Sequence, residues 1–137
     1  MSFGYTLRRI REARGMKIRR LAELSQMGEL YIHRLECDDG IEPPCATTVG
    51  YLLGALRPSS HQALLLRLMV GKEFSHNLID LFFEDRNLRT EFIYAAYYTS
   101  KLLTMPPKTK YQWRRHVADL VSWFEATQRK HKGNFSW

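Results

Sequence analysis

The chain has 137 residues, of which 45% are hydrophobic, and its 21 Lys and Arg against 14 Asp and Glu give a formal charge of +7. This composition excludes a wholly disordered chain, and the positive charge favours a negatively charged partner such as nucleic acid or an anionic surface. The longest apolar-rich run, ALLLRLMV at residues 63–70, is too short to span a bilayer, and no secretory signal pattern opens the sequence. We therefore expect a cytoplasmic chain with no membrane partner.

Apolar residues recur at helical spacing along almost the whole sequence, and no long stretch alternates as a half-buried strand does. The pattern predicts an all-α fold with helices at residues 4–14, 18–25, 29–36, 46–56, 60–70, 74–84, 88–103 and 109–130. Segments rich in Gly and Pro separate several of these helices, including DDGIEPP at 38–44, RPSS at 57–60 and MPPK at 105–108.

Charge is unevenly distributed over the predicted helices. Residues 1–20 carry seven basic side chains and one acid, residues 21–60 carry two and six, and residues 61–137 carry twelve and seven. Aromatic residues also become frequent in the last part. The change of composition, together with RPSS, predicts a boundary near residue 58, with one domain at 1–58 and a second at 59–137.

Residues 7–56 contain two short amphipathic helices suited to a tight crossing. The first, RRLAEL, offers Leu21 and the small Ala22, and the second, YIHRLE, offers Ile32 and Leu35 as inward anchors. Because a short helix cannot bury its own apolar stripe, the two are expected to pack on each other and on flanking helices.

This order of features resembles the Cro/C1-type helix-turn-helix family, often called the XRE family. The resemblance implies a five-helix DNA-binding domain whose recognition helix, residues 29–36, enters the major groove. The side chains implied to read bases are Glu29, Leu30, Tyr31, His33 and Arg34. Basic side chains earlier in the chain are expected to meet DNA phosphates: Arg8, Arg11, Arg14, Lys17, Arg19 and Arg20. The alternative is that this basic run is a solvated face of a protein-contact module.

Three positions depart from the family pattern. Gln26 stands where the turn usually has Gly, so it must either accept a positive φ or change the turn. Lys17 stands where Ser, Thr or Asn usually caps the second helix. ECDDG at 36–40 places acids after the recognition helix, where they would weaken indiscriminate DNA binding.

Aromatic side chains are dense after residue 60, and at helical spacing most of them are expected in the core. Because small helices offer a limited interior, part of this surface is expected to be buried against a second copy. A two-fold dimer would place two recognition helices about one turn of DNA apart and read a palindrome. The expected dimer interface comprises Phe92, Tyr97, Tyr98, Trp113 and Trp123.

A second resemblance concerns LLTMPPKTKYQW at residues 102–113. Leu102, Pro107, Lys110 and Trp113 match a Leu-loop-Pro-x-x-Lys-x-x-Trp segment in the C-terminal domain of DdrO-type repressors, whereas Leu103 stands where those proteins have Arg. The resemblance implies a small helical dimerisation domain, inactivated when a partner metallopeptidase of the ImmA/IrrE kind cuts near this loop. The alternative is an ordinary Pro-Pro helix breaker. The implied cleavage region is Leu102, Leu103, Thr104 and Met105.

His33, Cys37 and Cys45 could supply three zinc ligands, but they contain no Cys-x-x-Cys pair, and no metal or other cofactor is expected. No nucleophile–base pair, Gly-rich phosphate loop or His-Glu metal motif is recognisable, so an enzyme is not expected.

Two function classes remain. The first is a sequence-specific, nucleoid-associated transcription regulator, expected to be a dimeric repressor that binds a palindromic operator in double-stranded DNA. The second is a helical protein-interaction module, such as the antitoxin that partners a toxin, in which the aromatic half docks another protein.

Overall fold

The structure, a computed structural model, describes residues 2–37 and 41–134, with side chains described as far as Lys130. Within these ranges every regular element is a helix, as the periodicity predicted. The bounds are α1 Ser2–Ala13, α2 Ile18–Ser25, α3 Glu29–Cys37, α4 Ala46–Leu56, α5 Ser60–Leu68, α6 His76–Glu84, α7 Thr90–Ser100 and α8 Lys110–Asn134. No helix among these residues is both long enough and apolar enough to cross a membrane.

The chain divides into two compact units, unit 1 at Met1–His76 and unit 2 at Asn77–Trp137. The division lies later than the boundary expected near residue 58, and the start of α5 explains the difference. Ser59 Oγ accepts from the Gln62 backbone N–H at 3.2 Å, while Gln62 Oε1 accepts from the Ser59 N–H at 3.3 Å. This capping box makes RPSS a helix start, and α5 then packs against α1 within unit 1.

Unit 1 is built around the apolar faces of α1 to α5. Leu21 and Ile32 are completely buried, and Leu35 and Ala22 nearly so, as their spacing predicted. Fully burying one such aliphatic side chain contributes about 1.5–3 kcal/mol. Side chains from the other three helices complete this core: Leu7, Ile10, Leu52, Leu56, Leu65 and Leu66.

The segment after α5 returns to the start of α1. The Ser2 N–H donates to the Lys72 carbonyl at 3.2 Å, and the Ser2 hydroxyl donates to the Phe74 carbonyl at 3.1 Å and accepts from the Phe74 N–H. The Tyr5 and His76 rings stack with centroids 4.0 Å apart and planes 4° apart. These contacts hold residues 72–76 on α1 and so extend unit 1 to His76.

In unit 2, α7 packs against α8. Its core includes Ile79, Phe82 and Ile93, and Trp113 joins them with only 5% of its surface exposed. This burial within a single copy does not favour the expectation that Trp113 lies in a dimer interface. The α8 start is fixed by Gln112 Oε1, which accepts from the Lys108 and Thr109 N–H groups at 2.8 and 3.1 Å.

Candidate nucleic-acid interface

The turn between α1 and α2 brings a helix N-terminus to the surface of unit 1. Gly15 has φ +65°, a conformation that glycine adopts without steric cost. Lys17 occupies the N-cap of α2 with φ −83° and ψ 156°, and its side chain makes no capping hydrogen bond. The first amide groups of α2 therefore lack a side-chain acceptor at their own N-cap, and such groups favour an anion.

Four basic side chains surround this turn. Arg14, Lys17, Arg19 and Arg20, with Glu23 as the one acid, line an open depression of about 450 Å³, here called the basic depression. Glu23 forms ion pairs with Arg19 at 3.8 Å and with Arg20 at 3.3 Å. The side chains of Arg19 and Arg20 nevertheless remain 82% and 60% exposed. Exposed pairs of this kind are worth about 0–1 kcal/mol, so both guanidinium groups can exchange Glu23 for a phosphate.

Arg11 has a different role from the phosphate contact that we expected. Its Nε and Nη2 atoms donate to both oxygens of Glu36 at 2.7 and 2.9 Å, and Nη1 donates to the Met16 carbonyl at 2.8 Å. The two side chains are only 12% and 3% exposed, and the hydrogen bond to Glu36 raises the pKa of Arg11. The guanidinium group of Arg11 therefore makes its hydrogen bonds inside unit 1 and is not placed to contact a phosphate. The Arg11–Glu36 pair joins α1, the α1–α2 turn and α3.

Arg8 and Arg14 are also engaged, though both side chains remain at the surface. Arg8 pairs with Glu12 one turn further along α1 at 2.9 Å, and this hydrogen bond raises the pKa of Arg8. Arg14 Nε donates to the Leu56 carbonyl at the end of α4 at 3.0 Å. Arg14 lines the basic depression, but part of its hydrogen-bonding capacity already stabilises a helix C-terminus.

The connection between α2 and α3 is tight. Gln26 has φ 58° and ψ 38°, so it accepts the left-handed conformation that Gly usually supplies in the family pattern. The N–H of Gln26 bonds to the Ala22 carbonyl, and so does that of Met27, at 3.1 Å. Of the two outcomes that the sequence left open for Gln26, the structure has the first, a non-glycine residue with positive φ.

One face of α3 is exposed in the described part of the chain. Ile32 and Leu35 point into the core at 0% and 3% exposure, and Tyr31 is half-buried beside them. The exposed residues lie at positions 29, 30, 33, 34 and 37, which is one stripe at helical spacing. We name it the α3 stripe: Glu29, Leu30, His33, Arg34 and Cys37.

Four of these five residues were predicted to read bases, and Cys37 was missed. Its sequence signal was the four-residue spacing from His33, which places both on one helix face. His33 Nε2 lies 3.7 Å from Cys37 Sγ. Tyr31 belongs to the flank of the helix, so its expected role in base reading is the least favoured by its position.

The acids around α3 weigh less against an anionic partner than the sequence indicated. The charge of Glu36 is compensated by Arg11 in the Arg11–Glu36 pair. Glu29 lies in the first turn of α3, where a carboxylate stabilises the helix dipole. Asp38 and Asp39, which we expected to weaken indiscriminate binding, lie outside the described residues.

The remaining residues of the expected dimer interface lie on α7 and α8 of unit 2. Trp123 is 65% exposed and shares an apolar depression of about 400 Å³ with Phe92, Leu120 and Phe124. Leu120 and Phe124 were not among the residues expected at the interface. The Phe92 and Phe124 rings meet edge to face at 5.4 Å. On another part of α7, Lys101 Nζ lies 4.5 Å from the Tyr97 ring centre and 5.5 Å from that of Tyr98.

The expected cleavage region forms part of the exposed connection between α7 and α8. Leu102 is 85% and Met105 86% exposed, while Leu103 and Thr104 between them are also exposed. Large aliphatic side chains with this exposure on a connecting segment are accessible to another macromolecule.

No model of a known protein family matches the chain, and no curated protein is significantly similar to it.

Proposed function

We propose that the chain is a sequence-specific DNA-binding transcription regulator of the Cro/C1 type, in which the α3 stripe reads base edges in the major groove. The observation that carries the proposal is the placement of the basic depression one short helix before this stripe. Phosphate binding at an uncapped helix N-terminus would fix the protein on the duplex, and side chains of the next helix would then meet the bases.

The chemistry of the α3 stripe suits base recognition. Arg34 can donate two hydrogen bonds to guanine, Leu30, at 62% exposure, can contact a thymine methyl group, and Glu29 can accept from a cytosine amino group. The stripe itself carries one carboxylate, Glu29, and one guanidinium group, Arg34. Most of the sequence-independent attraction to DNA must therefore come from the basic depression.

The proposal includes a dimer that binds a palindromic operator as a repressor. The apolar depression around Trp123 and Phe124 supports a contact between copies through unit 2, because an exposed indole beside an apolar cavity is costly to leave in water. The proposal also includes control by proteolysis, in which a partner metallopeptidase cuts the α7–α8 connection and weakens the dimer. The exposure of the segment Leu102–Met105 supports this part of the proposal.

A gel-shift experiment on DNA from upstream of the protein's own gene tests the proposal. Arg34→Ala should cost about 1–3 kcal/mol on the preferred sequence and relax the choice of base at one position. Arg19→Ala should weaken all sequences alike and reduce the slope of log affinity against log salt by about one.

Arg129→Ala is the matched control, because it removes the same charge from an exposed site on α8. Arg34→Ala and Arg19→Ala variants that bind as Arg129→Ala does would exclude the proposed reading face.

A second candidate is a protein-interaction module such as an antitoxin, favoured by the same exposed Trp123 and its apolar depression. In that case Trp123→Ala would abolish capture of the partner protein and leave any DNA binding unchanged. Under the first proposal, Trp123→Ala instead weakens operator binding at low protein concentration, because it weakens the dimer.

A further inference from the structure

His33 and Cys37 form a pair of potential metal donors on the α3 stripe. They lie one helical turn apart, both side chains are exposed, and Nε2 and Sγ are 3.7 Å from each other. Among the residues that the structure describes, each of these two side chains has the other as its hydrogen-bond partner. Across the described residues, no group of three or more His, Cys, Asp and Glu side chains is placed to hold a metal ion, so the described part of the chain offers an ion two donors here.

The separation of the two atoms matches that of two donors on one tetrahedral zinc ion. With Zn–S of about 2.3 Å and Zn–N of about 2.05 Å, a tetrahedral angle sets the S···N separation at about 3.6 Å. The observed 3.7 Å is within about 0.1 Å of that value, so the two donor atoms already have the separation that one zinc ion requires. Imidazole and thiolate are also the two side-chain types that zinc prefers.

We propose that His33 and Cys37 bind one zinc ion, or a divalent ion of similar chemistry, and that the bound ion stops the α3 stripe from reading bases. The second half rests on the proposed DNA-binding function, whereas the first half does not. Binding replaces the thiol proton: Cys37–SH and hydrated Zn²⁺ give a Cys37–S–Zn bond and release H⁺, while the neutral His33 Nε2 donates its lone pair. Water fills the two remaining positions.

An occupied site would act directly on recognition. His33 lies between Leu30 and Arg34 in the stripe, so an ion bound to its Nε2 atom removes that atom from base contact. The ion and its waters also add bulk to a helix face that must fit closely against base edges. The same two side chains cannot hold the ion and lie flat in the groove.

Cobalt(II) provides a test that does not depend on DNA. The full chain, kept reduced, is titrated with Co²⁺, and the thiolate-to-cobalt charge-transfer absorption is recorded. We expect one equivalent of Co²⁺ to produce the band in wild type and in Cys45→Ser, which removes the other cysteine. Cys37→Ser should abolish the band, and His33→Ala should weaken Co²⁺ binding about tenfold or more. A band that is absent from wild type, retained in Cys37→Ser or unchanged in His33→Ala overturns the site.

Zinc is then added to the gel-shift experiment. We expect Zn²⁺ to weaken DNA binding by wild type and Cys45→Ser but not by Cys37→Ser. If wild type shows the cobalt band yet binds no DNA without zinc, the proposed function fails and the metal site stands. If the site fills and DNA affinity does not change, the regulatory half is overturned.

Discussion

Replacing Glu36 with Gln should destabilise unit 1 strongly. The change keeps the size of the side chain but removes a charge that is 3% exposed and bonded twice to Arg11, itself 12% exposed. Removing one partner of a buried ion pair costs about 3–5 kcal/mol. Arg11 retains the Met16 carbonyl as an acceptor, so we expect the lower end, about 3 kcal/mol. For a unit of this size, that loss lowers the melting temperature by about 12–24 °C.

Urea and thermal unfolding followed by far-ultraviolet circular dichroism measure this loss. Tryptophan fluorescence serves as an internal comparison, since Trp113 lies in the core of unit 2. Glu12→Gln is the matched control, because it breaks the exposed Arg8–Glu12 pair, which solvent screens and which contributes little to stability. If Glu36→Gln costs no more than this control, the Arg11–Glu36 pair does not stabilise unit 1 as argued.

A double substitution distinguishes an unpaired charge from lost packing. Arg11→Met with Glu36→Leu should recover most of the stability, because well-packed apolar residues often replace a buried pair at no cost.

The pKa of Arg11 is raised in the folded state. The stability that Arg11 contributes is therefore complete below its pKa in the unfolded chain and is lost only as pH rises through its pKa in the folded chain. Arg11 titration should therefore add no pH dependence between about pH 6 and 9.

Three further predictions concern single positions. Gln26→Gly should stabilise unit 1 by about 1 kcal/mol in urea unfolding, because it relieves a left-handed conformation; a loss would show that Gln26 makes compensating contacts. Hydrogen bonds from Thr48 lower the pKa of Cys45, so the Cys45 thiolate forms at lower pH. In Cys37→Ser protein, iodoacetamide should therefore alkylate Cys45 faster at neutral pH than it does in the same protein with Thr48→Val. Equal alkylation rates would exclude that cause. Limited thermolysin digestion should cut first beside Leu102 or Met105, and a first cut in another connection would contradict their exposure.

The helices were predictable because their signals are local. Apolar periodicity placed the eight helices of the described residues with errors of at most four residues at any end. One of these errors has its cause in a contact that is distant in sequence. Helix α1 begins at Ser2, whose hydroxyl group bonds to Phe74 seventy-two residues later. The sequence placed the second helix correctly at Ile18–Ser25, since Gly15 and the turn at Gln26 bound it on both sides.

The candidate interface was predictable in outline but not in each role. The α3 stripe followed from the inward spacing of Ile32 and Leu35, and Cys37 should have been included on the same spacing. Arg11 could not be separated from its basic neighbours, because its partner Glu36 lies twenty-five residues away and no local pattern links them. Trp113 was expected at a dimer interface but is buried in a single copy. Helical spacing alone does not show what an aromatic side chain packs against.

The hydrogen bond from the Ser2 N–H to the Lys72 carbonyl means that the two ends of unit 1 adjoin. A unit whose ends meet can be opened at another exposed turn and rejoined at its original ends, because the rearrangement stretches no backbone. A circular permutant that joins His76 to Ser2 through a short linker and opens at Gly15 would present α2 and α3 at the beginning of the chain. In such a molecule, the order of the helices along the chain could be varied while their neighbours in space stay the same.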